Sequence, residues 1–543
     1  MSSRAESTAT TFVELLRQTG DRVPDRAAFI CDGEALTYQE LWRRAGALAD
    51  SLRRQGISAG DVVAGFLPNG TDFCTTFAAA ARLGAAFLPV NVRLGAGEVA
   101  YILKHSRTRA LVSTARVDGP VNYLERLGRT ASVLATPRRP DADGLPDLQV
   151  VHVFGRDGIS PAAKETGPGA TRAEGLRPEA ETAELDTSLL LYTSGTTARP
   201  KGCPLHNRGV VNAGMAMAAR LGLADGTVLW NPCPMFHCAS IIPLVGSLGR
   251  GGTFVSTSHF EPASAIAAIE AHGATVAYPA FANFVQDMLR DPSYRPERLA
   301  QVERILCVGP PAVVRDIQAA LPGATLLNCY GITEACGTVA VSSPDDPLEV
   351  RLTTTGVPRE GLTAQIRSVD TGEVLSAGHP GQLWLKGPDM LTRYLGDESH
   401  PDVFDEHGWF FTGDLAALDD GGRIAYLGRI KDMLKVGGEN VGALEIESVL
   451  VSYPGVLAAS VIGVPDAKYG EVPVGFVETD GSFDGTASDL VEFASRELAR
   501  FKLPRDIVFV TEWPMSATKI QKFRLRESYL DARGGAASDR TSS

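Results

Sequence analysis

The sequence predicts an α/β fold: a large N-terminal domain of helices layered on sheets with a β-rich subdomain, then a small α+β C-terminal domain. Strand and helix patterns alternate in the N-terminal part and again over Val228–Leu306, which is typical of parallel sheets covered by helices. Short alternating strands separated by turns rich in Asp and Gly follow over Thr363–Tyr426. After Gly428 the pattern changes again, with enough elements for one small domain.

Local patterns define individual elements in both parts. In the N-terminal part we predict the helix Thr37–Gly56, which begins with a capping box of Thr37 and Glu40, the strand Asp61–Leu67, the helix Phe73–Leu83 and the strand Ala85–Val90. In the C-terminal part we predict the helix Leu444–Ser452, the strands Ala458–Val464, Val472–Glu478 and Ile507–Val510, and the helix Asp489–Phe501. No glycine-rich dinucleotide fingerprint follows the first strand, which excludes a Rossmann site.

Length and charge limit the domain count and the partners. A chain of 543 residues is long enough for several domains, because single cores stop growing near ~250–300 residues. We expect a large domain over 1–428, with the β-rich subdomain at about 355–428, and a disordered tail over 531–543. A net charge of −12 argues against nucleic-acid binding and against an anionic membrane surface.

The N-terminus and the cysteines indicate the compartment. The first residues lack the apolar run of a signal peptide, and no apolar stretch is long enough to span a bilayer. Eight scattered cysteines at spacings unlike those of zinc ligands predict reduced, free thiols. We therefore expect a cytoplasmic protein without membrane insertion, either a monomer or a homodimer.

The stretch Leu189–Gly202 carries the clearest chemistry. Its four apolar residues, 189–192, predict a buried strand, which runs into Thr193, Ser194, Gly195, Thr196 and Thr197, with Lys201 beyond. Hydroxyl and amide donors around a glycine can point at one anion, and the lysine adds a positive charge, so polyphosphate is the expected ligand. The alternative is a hydroxyl-rich surface turn. No glycine directly precedes Lys201 and no Ser or Thr directly follows it, which excludes a Walker A loop.

Four motifs in order resemble those of the adenylate-forming superfamily of acyl-CoA synthetases, aryl-CoA ligases, luciferases and adenylation domains. They are Y-T-S-G-T-T-x-x-P-K-G at 192–202, N-x-Y-G-x-T-E at 328–334, W-x-x-T-G-D at 409–414, and G-R-x-K-D with G-G-E-N at 428–440. The resemblance extends from about Thr11 to about Arg526 and is closest to acyl-CoA synthetases. It implies ATP, Mg²⁺ and coenzyme A as co-substrates or cofactors, and a mobile small domain over 432–530 behind a hinge at 429–431.

The resemblance also implies which residues bind the nucleotide. Thr193, Ser194, Gly195, Thr196, Thr197 and Lys201 would hold the β- and γ-phosphates, and Thr333 would contact the α-phosphate. Glu334, with Thr196, would bind Mg²⁺, which prefers oxygen ligands. Tyr330 and Gly331 would contact adenine opposite the turn Gly309-Pro310-Pro311. Asp414 would accept hydrogen bonds from the ribose hydroxyls, with Arg429 beside it.

Other positions bear on the acid. Pro234–His237 matches the family's P-x-F-H, whose histidine lies against the acyl carboxylate, although a structural histidine remains the alternative. Amino-acid-activating relatives carry aspartate there, so His237 argues against an α-amino acid. By position between motifs, the acyl pocket would be lined by Phe236, Ile241, Phe281, Phe284 and Cys336, together with Gly309 and Gly331. Such a wall fits a ring or a medium chain.

The two half reactions would use different parts of the small domain. Lys519 resembles the lysine that neutralises charge during adenylation. Lys431 stands at the hinge about which the small domain turns, and Gly437, Gly438 and Glu439 belong to the loop that would then admit the pantetheine arm. The chain departs from the family in three places. It has Ala198 and Arg199 where the family usually has a glycine first. It lacks the glycine before Lys519, which leaves Lys522 as an alternative, and it has His206-Asn207 where relatives carry Thr-His.

These observations predict an ATP-dependent carboxylic acid:CoA ligase that forms an acyl-adenylate and releases pyrophosphate and then AMP. A second hypothesis keeps adenylation and changes the acceptor to a carrier protein, an amine, or a nitrogen compound, as in relatives that activate nitrite toward an aryl amine. A third hypothesis is a non-catalytic nucleotide-binding protein. The charged residues required for chemistry are all present, which argues against the third: Lys201, Glu334, Asp414, Arg429 and Lys519.

Overall fold

The structure is a computed structural model. It describes residues 9–115, 117–118, 121–123, 125, 145–155, 158–160, 183–193, 200–396, 403–437, 439–466, 468–515 and 520–538. The helices are α1 Phe12–Arg22, α2 Tyr38–Arg54, α3 Thr71–Leu83, α4 Ala96–His105, α5 Asn207–Arg220, α6 Cys238–Arg250, α7 Pro262–Ala271, α8 Ala282–Arg290, α9 Pro311–Ala320, α10 Leu348–Thr353, α11 Ala443–Val451, α12 Ala487–Ala494 and α13 Lys522–Ser538.

The strands of the N-terminal part are β1 Ala27–Cys31, β2 Glu34–Thr37, β3 Val62–Phe66, β4 Ala86–Pro89, β5 Ala110–Thr114, β6 Val117–Asp118, β7 Val121–Asn122, β8 Val150–Gly155, β9 Gly158–Ser160, β10 Thr187–Thr193, β11 Lys201–His206, β12 Val228–Trp230, β13 Thr253–Ser256, β14 Val276–Phe281, β15 Arg304–Val308, β16 Thr325–Leu327, β17 Cys329–Tyr330 and β18 Ala340–Val341. Those that follow are β19 Thr363–Arg367, β20 Gly381–Lys386, β21 Phe410–Leu418, β22 Ile424–Arg429, β23 Met433–Val436, β24 Glu439–Gly442, β25 Val456–Asp466, β26 Gly470–Thr479 and β27 Asp506–Phe509.

Two seven-stranded, mostly parallel sheets form the N-terminal part. Their strand orders are β16-β15-β14-β12-β13-β1-β2 and β11-β10-β4-β3-β5-β8-β9. Each sheet has an antiparallel strand at one or both edges: β2 beside β1 in the first, and β11 and β9 in the second. The largest hydrophobic cluster includes residues from both sheets and from α2, α3, α5 and α6 between and around them. This arrangement confirms the predicted α/β class.

The helices α5 and α6 approach each other very closely through glycine. A Cβ atom on Gly246 would lie 2.3 Å from the carbonyl oxygen of Gly214, and one on Gly214 would lie 2.9 Å from Val245 Cγ1. Only a hydrogen side chain allows this separation, because any larger group would overlap the facing backbone. The two glycines therefore fix the distance between the helices that follow the phosphate stretch and His237.

The C-terminal part is built from two antiparallel units. Strands β19–β22 form a four-stranded antiparallel sheet, in agreement with the predicted β-rich subdomain. Strands β23–β27 form a second sheet, in which β27 pairs in parallel with β26. A separate hydrophobic core lies between this second sheet and the helices α11 and α12. Among the described residues, no helix combines the length and the apolar character needed to cross a membrane.

Three local predictions need correction or extension. The helix predicted over Asp489–Phe501 ends at Ala494, and a separate 3-10 turn begins at Arg500. Thr37 caps α2 as predicted and its hydroxyl accepts from Glu40 N at 3.1 Å, but the Glu40 carboxylate binds Arg43 and Arg44. Helix α13 continues to Ser538, inside the segment 531–543 that the sequence analysis assigned to a tail.

Candidate active site

Two antiparallel strands form the two ends, or stems, of the phosphate stretch. Strands β10 and β11 form an antiparallel pair in which Thr193 lies opposite Lys201. Ser194, Gly195, Thr196 and Thr197, between these stems, lie outside the described residues. Helix α4 contacts both stems, because His105 Nδ1 lies 2.8 Å from the Tyr192 hydroxyl and Tyr101 donates to the Pro200 carbonyl at 3.4 Å.

Lys201 and Glu334 are brought to one place by Tyr394, which the sequence analysis did not select. The Tyr394 hydroxyl donates to Glu334 Oε1 at 2.6 Å. The Lys201 ammonium lies 5.1 Å from the centroid of the Tyr394 ring, within the range of a cation–π contact. Burial, and then the Glu334 charge, raise the pKa of Tyr394 well above its usual value, so its hydroxyl stays protonated and remains a donor.

A tight turn presents Thr333 and Glu334. It is a single 3-10 turn over Thr333–Ala335, closed by a hydrogen bond from Cys336 N to the Thr333 carbonyl at 3.0 Å. Cys336 follows with φ +56°, a left-handed conformation that few non-glycine residues adopt. Leu391 N donates to the Glu334 carbonyl at 2.8 Å and so fixes the turn from outside.

The predicted adenosine residues form one buried network. Strands β21 and β22 place Asp414 opposite Arg429, and the Arg429 Nε lies 2.8 Å from Asp414 Oδ1. The Tyr330 hydroxyl donates to the other carboxylate oxygen at 2.5 Å. Burial and the neighbouring Asp414 charge raise the pKa of Tyr330, which keeps it a donor. Asp414 itself is 1% exposed, so its charge depends on these partners.

Tyr426 adds a second ring that the sequence analysis missed. It lies on β22 and stacks on Tyr330, with centroids 5.7 Å apart and planes 27° from parallel. Tyr426 lies three positions before Arg429, so the only sequence signal was an aromatic residue on the strand that leads to the G-R-x-K-D motif. The stack fixes the plane of the Tyr330 ring.

The glycines assigned to the site are closely packed. Gly309 follows β15, and a Cβ there would lie 2.7 Å from Ala282 Cβ; Pro310 then caps α9 and Pro311 begins it. A Cβ on Gly331 would lie 1.8 Å from the Gly337 carbonyl oxygen. Glycine at 331 is therefore required by the neighbouring backbone, quite apart from any ligand contact.

His237 immediately precedes α6 and its carbonyl begins that helix. Ser240 N and Ile241 N donate to it at 3.0 and 3.1 Å. The His237 ring lies 4.7 Å from that of Phe236, which is buried, as is Ile241. Phe236, His237 and Ile241, which we predicted to face the acid, therefore lie together at the start of α6.

The other proposed pocket residues are more dispersed. Phe281 ends β14 and precedes α8, directly after Ala280 with φ +63°. The rings of Phe284 and Phe260 pack edge to face with centroids 4.6 Å apart, so part of the Phe284 ring is already covered. Cys336 is buried, and its thiol donates to the Asp389 carbonyl at 3.4 Å.

Behind Cys336 lies a buried ion-pair cluster that no sequence motif indicated. Asp389 accepts from Arg359 at 2.7 Å, and both side chains are less than 5% exposed. Asn212 of α5 donates to the same carboxylate at 3.1 Å, and Arg208 lies 3.4 Å from it. A charge buried in this way is stable only while its partners remain. All eight cysteines of the chain lie in the described part, and none of them forms a disulfide bond, as predicted.

The small domain places several predicted residues near β22. Lys431 lies in an exposed 3-10 turn that joins the two C-terminal sheets. Gly437 has φ +62° in the turn between β23 and β24, its amide donates to the Tyr469 carbonyl at 2.7 Å, and Glu439 is exposed after it. Gly438 and Lys519 lie outside the described residues.

Lys522, the alternative to Lys519, is already paired in the small domain. Its ammonium lies 2.7 Å from Glu447 Oε1 and 4.0 Å from Asp432 Oδ2. Glu447 Oε1 also accepts from Val461 N at 2.7 Å. An ammonium held by two carboxylates is poorly suited to replace Lys519, because leaving them costs both ion pairs.

Comparison with known proteins identifies the family. The family model described as AMP-binding enzyme matches residues 16–395, and the model described as AMP-binding enzyme C-terminal domain matches 445–519. The chain belongs to the AMP-binding enzyme family, within its acyl- and aryl-CoA ligases. Membership implies the use of ATP and coenzyme A.

Similar proteins span different acids. The chain is 30% identical over 522 residues to the long-chain-fatty-acid–CoA ligase FadD13 of Mycobacterium tuberculosis, covering 95% of this chain and 98% of that protein. It is 31% identical over 513 residues to a feruloyl-CoA synthase of Amycolatopsis, covering 93% and 96%. The ATP-bound structure of MatB from Rhodopseudomonas palustris superposes with a TM-score of 0.80 at 26% identity, covering 96% and 99%.

Proposed function

We propose that this chain is an ATP-dependent carboxylic acid:CoA ligase that acts through an acyl-adenylate. The main support is a pair of side-chain networks. One joins Tyr330, Asp414 and Arg429, and the other joins Lys201, Tyr394 and Glu334. The first suits a nucleoside, since an ionised carboxylate accepts from two vicinal hydroxyls and an aromatic stack presents a flat surface. The second suits a polyphosphate with its cation.

In the first half reaction, an oxygen of the acid's carboxylate attacks the α-phosphorus of ATP. The new O–P bond forms as the bond to the bridging oxygen breaks, and pyrophosphate leaves. Lys201 and the β10–β11 hydroxyls hold the leaving phosphates, while Lys519 neutralises charge at the α-phosphorus. His237, at the position that precedes α6, orients the carboxylate for in-line attack.

Glu334, with Thr196, is proposed to hold Mg²⁺. Among the described residues, no three His, Cys, Asp or Glu side chains are grouped closely enough to hold a metal alone. Magnesium usually takes one or two carboxylates together with substrate phosphates, so a single glutamate fits this donor set. Glu334 Oε1 accepts one hydrogen bond and a carboxylate has about four acceptor positions, so it retains capacity for a cation. Bound there, the cation supplies neutralisation of phosphate charge.

In the second half reaction, a thiol attacks the acyl carbon, AMP leaves and the thiol proton is lost. The hinge at 429–431 and the small domain over 432–530 are proposed to bring the Gly437–Glu439 loop to the site for this step. Beside that loop lies an open cleft of about 400 Å³, whose polar lining consists of Lys468, Tyr469, Arg505 and the carboxylate of Asp466. Lys468 and Arg505 each lie 5.0 Å from the centroid of the Tyr469 ring, and two cations beside an aromatic ring suit a nucleotide with its phosphates. This supports coenzyme A as the acceptor.

The test is ATP–pyrophosphate exchange with a panel of aryl, medium-chain and dicarboxylic acids plus nitrite. Each acid is assayed with coenzyme A, with pantetheine and without thiol, and products are identified by mass. We expect exchange with one organic acid class, and an acyl-CoA product with coenzyme A formed more efficiently than with pantetheine. Exchange that ignores both thiols would redirect the acceptor to a carrier protein or a nitrogen nucleophile. No exchange with any acid would leave the non-catalytic hypothesis.

A variant tests the adenosine network separately. Asp414→Asn removes the charge that pairs with Arg429, and we expect the KM for ATP to rise at least tenfold and exchange to fall about 100-fold. The matched control is Asp346→Asn, which loses a similar arginine contact, to Arg423 at 3.1 Å. Its KM for ATP should stay within about twofold. Equal effects of the two substitutions would contradict a nucleotide role for Asp414.

A further inference from the structure

The short segment 391–395 is hydrogen-bonded at one end to the backbone of Glu334 and at the other end to the phosphate stretch. At its start, Leu391 N donates to the Glu334 carbonyl at 2.8 Å. At its end, Leu395 N donates at 2.8 Å to the carbonyl of Gly202, which directly follows Lys201. Both ends are thus fixed by backbone hydrogen bonds to the two elements that carry the charged groups. The segment 391–395 cannot shift relative to one of them without breaking a bond.

Tyr394 lies within this segment and contacts both charged side chains. Its hydroxyl donates to Glu334 Oε1 at 2.6 Å, and its ring lies 5.1 Å from the Lys201 ammonium. The residue is 8% exposed, so packing limits rotation of its side chain. A glutamate has three rotatable bonds and a lysine four, so neither side chain defines its own position. The rigid Tyr394 side chain, which contacts both, defines their positions.

We infer that Tyr394 is a positioning residue for adenylation: its hydroxyl fixes the Glu334 carboxylate, and its ring fixes Lys201, at a set distance from each other. The inference rests on the proposed function, because it assigns a role to the same site. The hydroxyl restricts the carboxylate that would hold the divalent cation, and the ring restricts the cation that would hold the terminal phosphates. The two contacts use different parts of one side chain and can be removed separately.

Tyr394→Phe removes the hydroxyl and keeps the ring. Loss of a group that orients a metal ligand typically costs 10–100-fold in metal affinity or activity. We therefore expect the Mg²⁺ concentration for half-maximal ATP binding, measured by titration calorimetry with ATP, to rise about tenfold or more. ATP binding without Mg²⁺ should be unchanged, and the adenylation kcat should fall with it. Thioester formation from a supplied acyl-adenylate should stay within twofold.

Tyr394→Leu removes the ring as well. We expect it to add a further rise of about threefold or more in the dissociation constant for ATP without Mg²⁺, because Lys201 then loses its contact. The matched control is Tyr529→Phe in α13. That tyrosine is 7% exposed and donates to a carboxylate, Asp506, at 2.8 Å. The control removes an equivalent hydrogen bond elsewhere and should leave the Mg²⁺ dependence unchanged.

A double-substitution cycle makes the test specific. In a Glu334→Gln background, Tyr394→Phe should have no further effect on the Mg²⁺ dependence, because the carboxylate it orients is gone. The inference is overturned if Tyr394→Phe binds Mg²⁺ and ATP like the parent, or if ATP binding weakens equally with and without Mg²⁺. The binding measurements need no acid, so they are decided even if the proposed ligase reaction fails.

Discussion

At the scale of single residues, His206 shows how one unusual side chain is accommodated. Its Nδ1 accepts from Gly209 N at 3.0 Å and caps α5, and its Nε2 lies 3.1 Å from the Pro388 carbonyl. One nitrogen must be unprotonated and the other protonated for both contacts, which defines a neutral tautomer. Burial lowers the pKa of His206, in agreement with that form. His206 therefore caps α5 at the position where the family resemblance expects a threonine.

Removing this cap should cost stability. His206→Ala leaves the Gly209 amide without its acceptor, and we expect a loss of about 1–2 kcal/mol, seen as a lower urea midpoint. His206→Thr restores a cap and should recover most of the loss. If the alanine and threonine variants are equally unstable, the contact to Pro388 and not the cap carries the effect.

Asn207, which stands where the family resemblance expects a histidine, also has a structural role. Its amide nitrogen donates to the carbonyls of Ala183 and Asp186, both at 3.3 Å, and its oxygen accepts from Phe12 N at 3.4 Å. These partners are distant in sequence, so no local pattern could reveal them. The His206-Asn207 pair is thus structural, and neither residue needs a catalytic role to account for it.

At the scale of elements, the contact between α5 and α6 depends on two glycines. In Gly246→Ala the new Cβ would overlap the Gly214 carbonyl, so one helix must move; we expect a loss of about 1–3 kcal/mol. Gly97→Ala is the matched control, because it lies in α4 with no atom within 4 Å of the new Cβ. It should be neutral or stabilising by up to about 1 kcal/mol. Urea unfolding of both variants measures the difference, and equal midpoints would contradict a close helix contact.

The elements also show which predictions a sequence supports. Periodicity and capping located α2, α3 and the β3–β4 pair within a few residues, because their signals are local. The predicted helix over 489–501 failed after Ala494, where a turn and then a 3-10 segment take over before β27. Its apolar residues continue at helical spacing, and tertiary packing decides the end. The position of this helix end therefore could not be predicted from the sequence alone.

Site residues divide in the same way. Asp414, Arg429 and Tyr330 were named from motifs, and the structure joins them in one network. Tyr394 was not named, since its importance lies in two contacts that cross the fold, to Glu334 and Lys201. The quoted motifs name residues expected to touch the ligand, whereas the role of Tyr394 follows from contacts that only the folded chain brings together.

At the scale of the whole molecule, histidine burial predicts acid sensitivity. Burial lowers the pKa of His152, in β8, to about 4. Because the folded pKa lies below the unfolded value near 6.5, the unfolded chain binds the extra proton. The stability contribution is complete above pH ~6.5 and is lost as the pH falls toward 4. The loss is at most about 3 kcal/mol.

The check is the thermal midpoint between pH 7 and pH 4. His152→Leu removes the titrating ring and should flatten the decline relative to the parent chain. His379→Gln, at an exposed position, serves as the control and should keep the parent slope. If the leucine variant declines as steeply as the parent, other groups dominate the acid response.

The pairing of β1 with β13 has a consequence for how the chain is made. Phe29 of β1 lies beside Phe254 of β13 in the first sheet. During synthesis β1 therefore cannot form this pairing until β13, more than 200 residues later, has left the ribosome. Closing a loop of that length costs roughly 5 kcal/mol of chain entropy. A nascent chain that stops within α5 would expose β1 with no neighbour on its inner edge, which makes it a substrate for chaperones. Folding of the first sheet is therefore delayed past the point at which the second sheet already has its central strands.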